Sequence, residues 1–268
     1  MSRDSIGNTF GVAAGVCGVC ALLVSVAAVG LKSTQDYWVK IDTQKNILFA
    51  SAADTEERTK FGKMSGAEID EFFKANFEDI IVDLETGQDV TSEYPVPAEF
   101  RQIEVAELKK ADAYTDIPSA EDVAKIKRRE NHSHVYIRKD ATVRYIFPIR
   151  GKGLWSTLKG FIALQPDLKT VAYLTFYEHK ETPGLGGEVD NLSWKQQWEG
   201  KVVYNTAGDV AIQVVKGSAG NKFQIDGLSG ATITSRGVQN MLTYWMGPEG
   251  FGQYIKSQKK TTSALASN

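Results

Sequence analysis

Asp226-Gly227-Leu228-Ser229-Gly230-Ala231-Thr232-Ile233-Thr234-Ser235 is the stretch around which this chain organises itself. It crowds small residues and hydroxyls into a Gly-broken turn. Val238, Met241, Leu242 and Trp245 follow at i, i+3, i+4 and i+7, which predicts an amphipathic helix starting at once. A helix start offers unpaired backbone N–H groups and a positive dipole end, so it suits a phosphate. Gly230 and Ala231 leave the approach to Thr232 open. Two other readings use the same residues. Ser, Thr and Gly before a helix are ordinary capping chemistry. Gly227-Leu228-Ser229-Gly230 also begins like the nucleophile elbow G-x-S-x-G. The fifth position is Ala231, however, and His132, His134 and His179 have no acid partner placed by spacing, which argues against a serine hydrolase.

Working outward, 268 residues with 42% hydrophobic content suffice for one sizeable core or two lobes. A formal net charge of −2 argues against the basic face that nucleic acid requires. The charges are mixed along the chain, so no large steering field is implied.

Residues 10–31 carry no charge, and this length suits a membrane-spanning helix of about 20 residues. Gly11, Ala13, Ala14, Gly15 and Gly18 would let a neighbouring helix approach closely. A cleaved signal peptide is the competing reading; the apolar run exceeds the usual h-region of about 7–15 residues, although small residues near Ala27 permit cleavage. Cys17 and Cys20 lie inside this run. Their C-x-x-C spacing lacks polar surroundings and a second ligand pair, so they are read as packing residues, not a redox or zinc site. The expected organisation is a short tail (1–9), a transmembrane helix (10–31), an α+β body (32–258) and a polar, disordered tail (259–268).

Within the body, residues 38–49 read as mixed extended structure broken by a polar turn at Thr43-Gln44-Lys45-Asn46. Ser65-Gly66-Ala67-Glu68 is a capping box, followed by Ile69, Phe72, Phe73 and Phe77 on one helical face. A short strand is expected at 80–84. Residues 85–118, interrupted by Pro95, Pro97 and Pro118, read as surface loops. A second helix is expected from Ser119, with Val123 and Ile126 inward and the charge run 125–130 as its solvated face. From Val135 onward strands dominate. Val143, Tyr145, Phe147 and Ile149 alternate, residues 160–164 and 171–177 flank a loop at Gln165-Pro166-Asp167, and 210–215 and 223–225 supply two more strands. There is no internal repeat. The pattern indicates an α+β fold with a mainly antiparallel sheet and flanking helices.

A second constellation, Glu181-Thr182-Pro183-Gly184-Leu185-Gly186-Gly187, follows the strand ending near Tyr177. Pro fixes φ and Gly permits φ > 0, so this is a sharp loop whose backbone can approach a flat ligand; a plain connecting loop has the same composition. It lacks the G-x-G-x-x-G spacing of a dinucleotide fold.

The ten residues first quoted resemble the flavin-attachment motif Asp-x-x-Ser/Thr-Gly-Ala-Thr, with Asp226, Ser229, Gly230, Ala231 and Thr232 matching position for position. Together with the N-terminal anchor, the Glu-Thr-Pro-Gly-Leu-Gly loop, Asn46-Ile47-Leu48 and Gly151-Lys152-Gly153-Leu154-Trp155-Ser156, they resemble the C subunit of the bacterial sodium-translocating NADH:quinone oxidoreductase over essentially the whole chain. Residues 85–130 are the least family-like. The attachment motif is shared with the equivalent subunit of the related ferredoxin:NAD ion pump and with other flavinylated membrane proteins.

The resemblance implies a redox subunit with FMN joined covalently to Thr232 by a phosphoester, attached from FAD by a separate flavin transferase. It implies electron transfer from an iron–sulfur centre in neighbouring subunits to FMN on the B subunit, within a complex of subunits A, B, D, E and F. No NADH active site and no metal site would lie in this chain. Ser229, Gly230 and Ala231 would surround the phosphate, Thr182 and Leu185 would lie against the isoalloxazine, and Glu181 and Gly184 would stand close by. Trp155 is a candidate stacking wall or a core residue, and Lys216 a candidate counter-charge or an ordinary surface lysine. The FMN-binding domain is expected at about 135–258. The resemblance implies a bacterial inner membrane with the body in the periplasm, whereas Lys and Arg flanking the apolar run slightly favour a cytoplasmic body, a weak guide for long domains. A cofactor-free, membrane-tethered assembly module is the alternative from another class.

Overall fold

Between Gly30 and Gly62 the chain contains neither Gly nor Pro, so nothing in its local chemistry halts a helix. In the computed structural model, which describes residues 6–93 and 113–266, one helix, α1 (Ile6–Ser51), runs through that stretch. The extended structure and polar turn expected at 38–49 are therefore helical. Gln44, Ile47, Leu48 and Ser51 lie at helical spacing and are all buried, a face concealed by its polar members. The chain forms two compact units, Met1–Asp42 and Thr43–Asn268. In the first, the apolar side chains of residues 6–39 are exposed, and the helix is long and apolar enough to cross a membrane. Cys17 and Cys20 are exposed and free, so they do not pack a core there.

In the second unit, α1 ends against two arginines. The Ser51 carbonyl accepts from Arg138 Nη1 (3.1 Å) and the Phe49 carbonyl from Arg58 Nε (3.2 Å), which satisfies helix-end acceptors. Asp54 caps α2 (Thr55–Lys63) by accepting from the Glu57 N–H at 2.9 Å. Ser65 and Glu68 form the expected capping box of α3 (Gly66–Asn76).

The sheet order is β1-β4-β5-β6-β7, all antiparallel: β1 (Phe77–Asp83), β4 (His132–Arg138), β5 (Arg144–Lys152), β6 (Thr157–Leu164) and β7 (Val171–Glu178). Alternation divides its side chains between two faces. Val135, Phe147, Ile149, Ile162, Leu174 and Phe176 join the main core with Val238, Met241, Leu242 and Trp245 of α5 (Thr232–Trp245). The other face carries Tyr136 and Phe161 in edge-to-face contact, with Phe73 of α3 against Tyr136. Two small pairs complete the topology: antiparallel β2 (Tyr114–Asp116) with β3 (Arg128–Glu130), and parallel β8 (Gln213–Val215) with β9 (Gln224–Asp226). Short α4 (Leu192–Gln196) precedes β8, and α6 (Gly252–Ala266) closes the described chain.

Three further expectations change. The helix expected from Ser119 is a series of turns. Asp122 accepts from the Ile126 and Lys127 N–H groups (2.9 and 2.8 Å), Lys125 and Lys127 adopt φ of 54° and 66°, and Val123 is exposed. The Asp side chain thus offers the backbone an alternative to helical bonding. The polar tail expected after Lys259 is helical to Ala266, continuing from the buried anchors Tyr254 and Ile255. Residues 85–118 contain β2 and a 3-10 turn at Thr91–Glu93. Pro95 and Pro97 lie outside the described residues.

Arg138 is 2% exposed and binds Glu57, Asp140 and the end of α1 together. The Arg138 hydrogen bond holds the Glu57 carboxyl below its ordinary value. A depressed carboxyl contributes stability above its unfolded pKa of about 4.3, and that contribution is lost as pH falls through the folded value. Arg138→Met is expected to cost about 3 kcal/mol at pH 7 by orphaning these carboxylates. Urea melts should show the gap from wild type narrowing at pH 3; a pH-independent gap would contradict this account.

Candidate functional site

The quoted turn leads from β9 into α5. The Gly227 N–H donates to the Val215 carbonyl (2.7 Å), the Leu228 N–H to Ser235 Oγ (2.9 Å), and the Ala231 N–H to the Leu228 carbonyl (3.1 Å). Gly230 has φ of 72°, where a side chain is strained. No side chain caps α5; Ser235 N–H, bonded to the Ala231 carbonyl at 2.9 Å, is the first to enter the helix ladder. The Thr232, Ile233 and Thr234 N–H groups therefore lack intrahelical acceptors and present the positive end of the helix dipole. Ordinary capping is not what these hydroxyls do.

A cavity of about 700 Å³ opens at this helix start, lined by Ser229, Gly230 and Thr232 of the turn, Lys216 beyond β8, and Arg236 and Asn240 on α5. Thr232 is exposed and Ala231 buried. Arg236, one helical turn beyond Thr232, lies outside the attachment motif, although i, i+4 spacing from the helix start is a signal that could have found it. The Asp226 carboxylate accepts from the Ala219 N–H and its carbonyl from Trp194 Nε1 (2.8 Å), so Asp226 shapes the loop that carries Lys216. No histidine lines this cavity. His132, His134 and His179 do have carboxylate neighbours, Asp83, Asp79 and Asp190, but away from Ser229, which removes the hydrolase reading.

Glu181 joins the second constellation to the first. It is 5% exposed, and its carboxylate accepts from the backbone N–H groups of Leu154 (3.1 Å), Trp155 (2.9 Å) and Ser156 (3.1 Å) and from Thr234 Oγ1 on α5 (2.7 Å). Burial pushes its pKa up, but the Thr234 hydroxyl and the backbone N–H groups outweigh this and hold it below the ordinary value. Gly153 and Gly186 stand so close that a Cβ on either would meet a Glu181 carboxylate oxygen at 2.7 Å. Beyond Glu181, the Thr182 carbonyl accepts from Leu185 and Gly187, and Gly184 has φ of 75°. Leu185 then reaches the quoted turn: a Cβ on Gly230 would lie 3.0 Å from its Cδ2.

The fold thus brings Thr182, Gly184, Leu185, Ser229, Gly230 and Thr232 to one surface, with Lys216 at the cavity and Glu181 beneath. Trp155 contributes its backbone to Glu181, while its ring, 66% exposed, lines a different groove. Six large hydrophobic side chains are exposed among the described residues of the second unit. Four of them, Leu154, Trp155, Leu185 and Ile233, sit on the segments joined by Glu181 or beside Thr232. Such an apolar surface around a polar helix start suits a ligand with a flat apolar ring and an anionic end.

This surface belongs to a flavin-binding protein whose first helix is long and apolar enough to cross a membrane: residues 153–247 match the family model described as FMN-binding domain. The C subunit of the Na(+)-translocating NADH-quinone reductase of Pseudomonas aeruginosa is 42% identical over 267 residues, covering 97% of this chain and 98% of the relative. Its Vibrio alginolyticus counterpart is 41% identical over 258 residues, covering 95% of each. The crystal structure of Shewanella oneidensis NqrC superposes with a TM-score of 0.71 at 30% identity, covering 82% of this chain and 98% of that one. The chain belongs to the NqrC family, the C subunits of the sodium-translocating NADH-quinone reductases.

Glu181→Gln is expected to cost about 2 kcal/mol, because a neutral amide turns an NH2 toward buried donors. Thr234→Val removes one hydroxyl bond and should cost about 1 kcal/mol. Since the Glu181 value is depressed, the contribution of its carboxylate is present above pH about 4.3 and fades as pH falls. Urea melts of Glu181→Gln at pH 7 and pH 3 should show a smaller deficit at pH 3.

Proposed function

We propose that this chain is the electron-carrying subunit of a membrane-bound, sodium-pumping NADH:quinone reductase, with FMN esterified to Thr232. The observation that carries the reading is the uncapped start of α5, with the Thr232 hydroxyl beside three N–H groups that lack helical acceptors, at the mouth of a cavity holding Lys216 and Arg236. Membership of the NqrC family and the FMN-binding match support it. A cofactor-free assembly module would have no use for this arrangement, and the relatives' names favour the quinone reductase over the ferredoxin pump.

The residues present fit FMN. Gly230 leaves room where a side chain would close the turn, the helix start and two cations suit its phosphate, and Leu185 with its exposed apolar neighbours suits its ring. Attachment would form a bond from Thr232 Oγ to the FMN phosphorus of FAD, release AMP and free the hydroxyl proton, under a flavin transferase. Bound flavin supplies the electron-transfer chemistry, and the protein supplies position and electrostatics. Lys216 and Arg236 offset phosphate charge. Leu154, Leu185 and Ile233 exclude water at the ring, and Glu181 holds their loops in place. Electrons would pass between redox centres of the neighbouring subunits A, B, D, E and F, with NADH oxidation, quinone reduction and sodium movement outside this chain. The helix α1 would anchor it in the bacterial inner membrane, with the body periplasmic.

Thr232→Val is expected to abolish in-gel flavin fluorescence when co-expressed with the transferase, while the β-branched replacement preserves the backbone preference. Thr234→Val should retain fluorescence. Flavin persisting in the Thr232 variant would sink the assignment.

Topology has its own test. Ser218 is exposed beside the cavity loop, so Ser218→Cys should react with a membrane-impermeant thiol reagent in cells whose outer membrane alone is permeabilised. Labelling that requires breaking the inner membrane would place the body in the cytoplasm.

A further inference from the structure

A groove of about 930 Å³ lies outside the Thr232 cavity, between the turns at 125–128, β5, β6 and the end of β7. Its lining holds seven Lys or Arg against two Glu, on a chain whose formal net charge is −2. Three of the cations are matched: Arg128 pairs with Asp116, Arg150 with Glu130 and Lys159 with Glu178. Lys125, Lys127, Lys152 and Lys180 have no carboxylate partner among the described residues. Lys152 Nζ instead donates to the Trp155 carbonyl at 3.0 Å.

Two further observations mark this surface. Lys125 and Lys127 are two of the three described non-glycine residues with positive φ, and the Asp122 side chain holds their turn. Backbone in this region costs free energy unless its surroundings impose it. The indole of Trp155, 66% exposed, forms part of the same lining, and tryptophan is among the residue types most enriched at the energetic centre of an interface.

We infer that this groove docks an acidic segment of a neighbouring protein in the membrane complex, its carboxylates facing Lys125, Lys127 and Lys180 and an apolar side chain resting on Trp155. The charge excess is local, so complementarity must come from a partner and not from the rest of this chain. A polypeptide fits better than a lipid surface. Arg150 and Lys152 are partly buried in the groove, where an extended segment reaches them more readily than a flat bilayer, and Glu130 and Glu178 are already matched by Arg150 and Lys159, which leaves the lining net positive toward an acidic chain. Docking here does not depend on flavin at Thr232, yet Trp155 also donates its N–H to Glu181, so an occupant would sit directly against the loop that supports that site.

The test uses the full chain in zwitterionic phosphatidylcholine nanodiscs and a fluorescein-labelled peptide of ten glutamates and one tryptophan. Saturable binding, read by anisotropy, should weaken about tenfold in Lys125→Glu/Lys180→Glu and less in Lys125→Gln/Lys180→Gln, and should fall with added salt. Lys169→Glu/Lys222→Glu makes the same charge change outside the groove and should leave binding unchanged. Absence of saturable binding, or equal weakening in both charge-reversed variants, would overturn the inference. So would capture of these nanodiscs by phosphatidylglycerol vesicles that is lost in Lys125→Glu/Lys180→Glu but kept in Lys169→Glu/Lys222→Glu, because the groove would then face a membrane. Flavinylation of Thr232 should be unaffected in every groove variant, which separates failure here from failure of the flavin assignment.

Discussion

The Glu181 carboxylate is the interaction on which the rest of this structure depends. It is a buried anion with no ion pair among the described residues, and burial of an unpaired charge is expensive unless hydrogen bonds replace water. Here backbone N–H groups of residues 154–156 and the Thr234 hydroxyl do so. These donors come from a strand connection and from α5, so the charge cannot be solvated internally unless both are in place. Gly153 and Gly186 are small because the carboxylate occupies the space a side chain would need. The loop that follows Glu181 then carries Leu185 against Gly230. One buried charge therefore positions both halves of the candidate flavin surface.

A second buried charge performs the corresponding task at the other end of the second unit. Arg138 gathers Glu57, Asp140 and the Ser51 carbonyl, so the last turns of α1 are bound to the sheet by a guanidinium whose donors are all directed inward. Arg58 adds a stacked contact over Tyr173, 3.5 Å from the ring centroid. Charge is also distributed by location: anions are buried where they organise backbone, while unmatched cations face solvent at the cavity and the groove. For a chain of nearly balanced formal charge, this is a matter of placement and not of composition.

Local signals are legible where one short segment contains the whole physical argument. The capping box at Ser65 and Glu68, the alternation in β5, the β6–β7 hairpin and the periodic face of α5 all depend on neighbours within a few residues. Sequence reading fails where tertiary burial overrides polarity. Thr43 and Gln44 look like turn residues but are buried on the last turns of α1, and Val123 looks like a core position but is exposed because Asp122 diverts the backbone. Trp155 is by sequence a candidate ring-stacking wall or a core residue; its exposure excludes the core, and its indole lines the basic groove.

By itself the sequence determined the apolar anchor, the α+β class, the helix that starts at Thr232 and the matched attachment motif, because each is a property of contiguous residues. Only the tertiary structure decided that Glu181 lies beneath the site and not at its surface, that Arg236 joins Lys216 at the cavity, and that seven cations scattered along the chain converge on one groove. The physical reason is separation along the chain: Glu181 and Thr234 are 53 positions apart, and nothing local to either says that the other will supply its hydrogen bond.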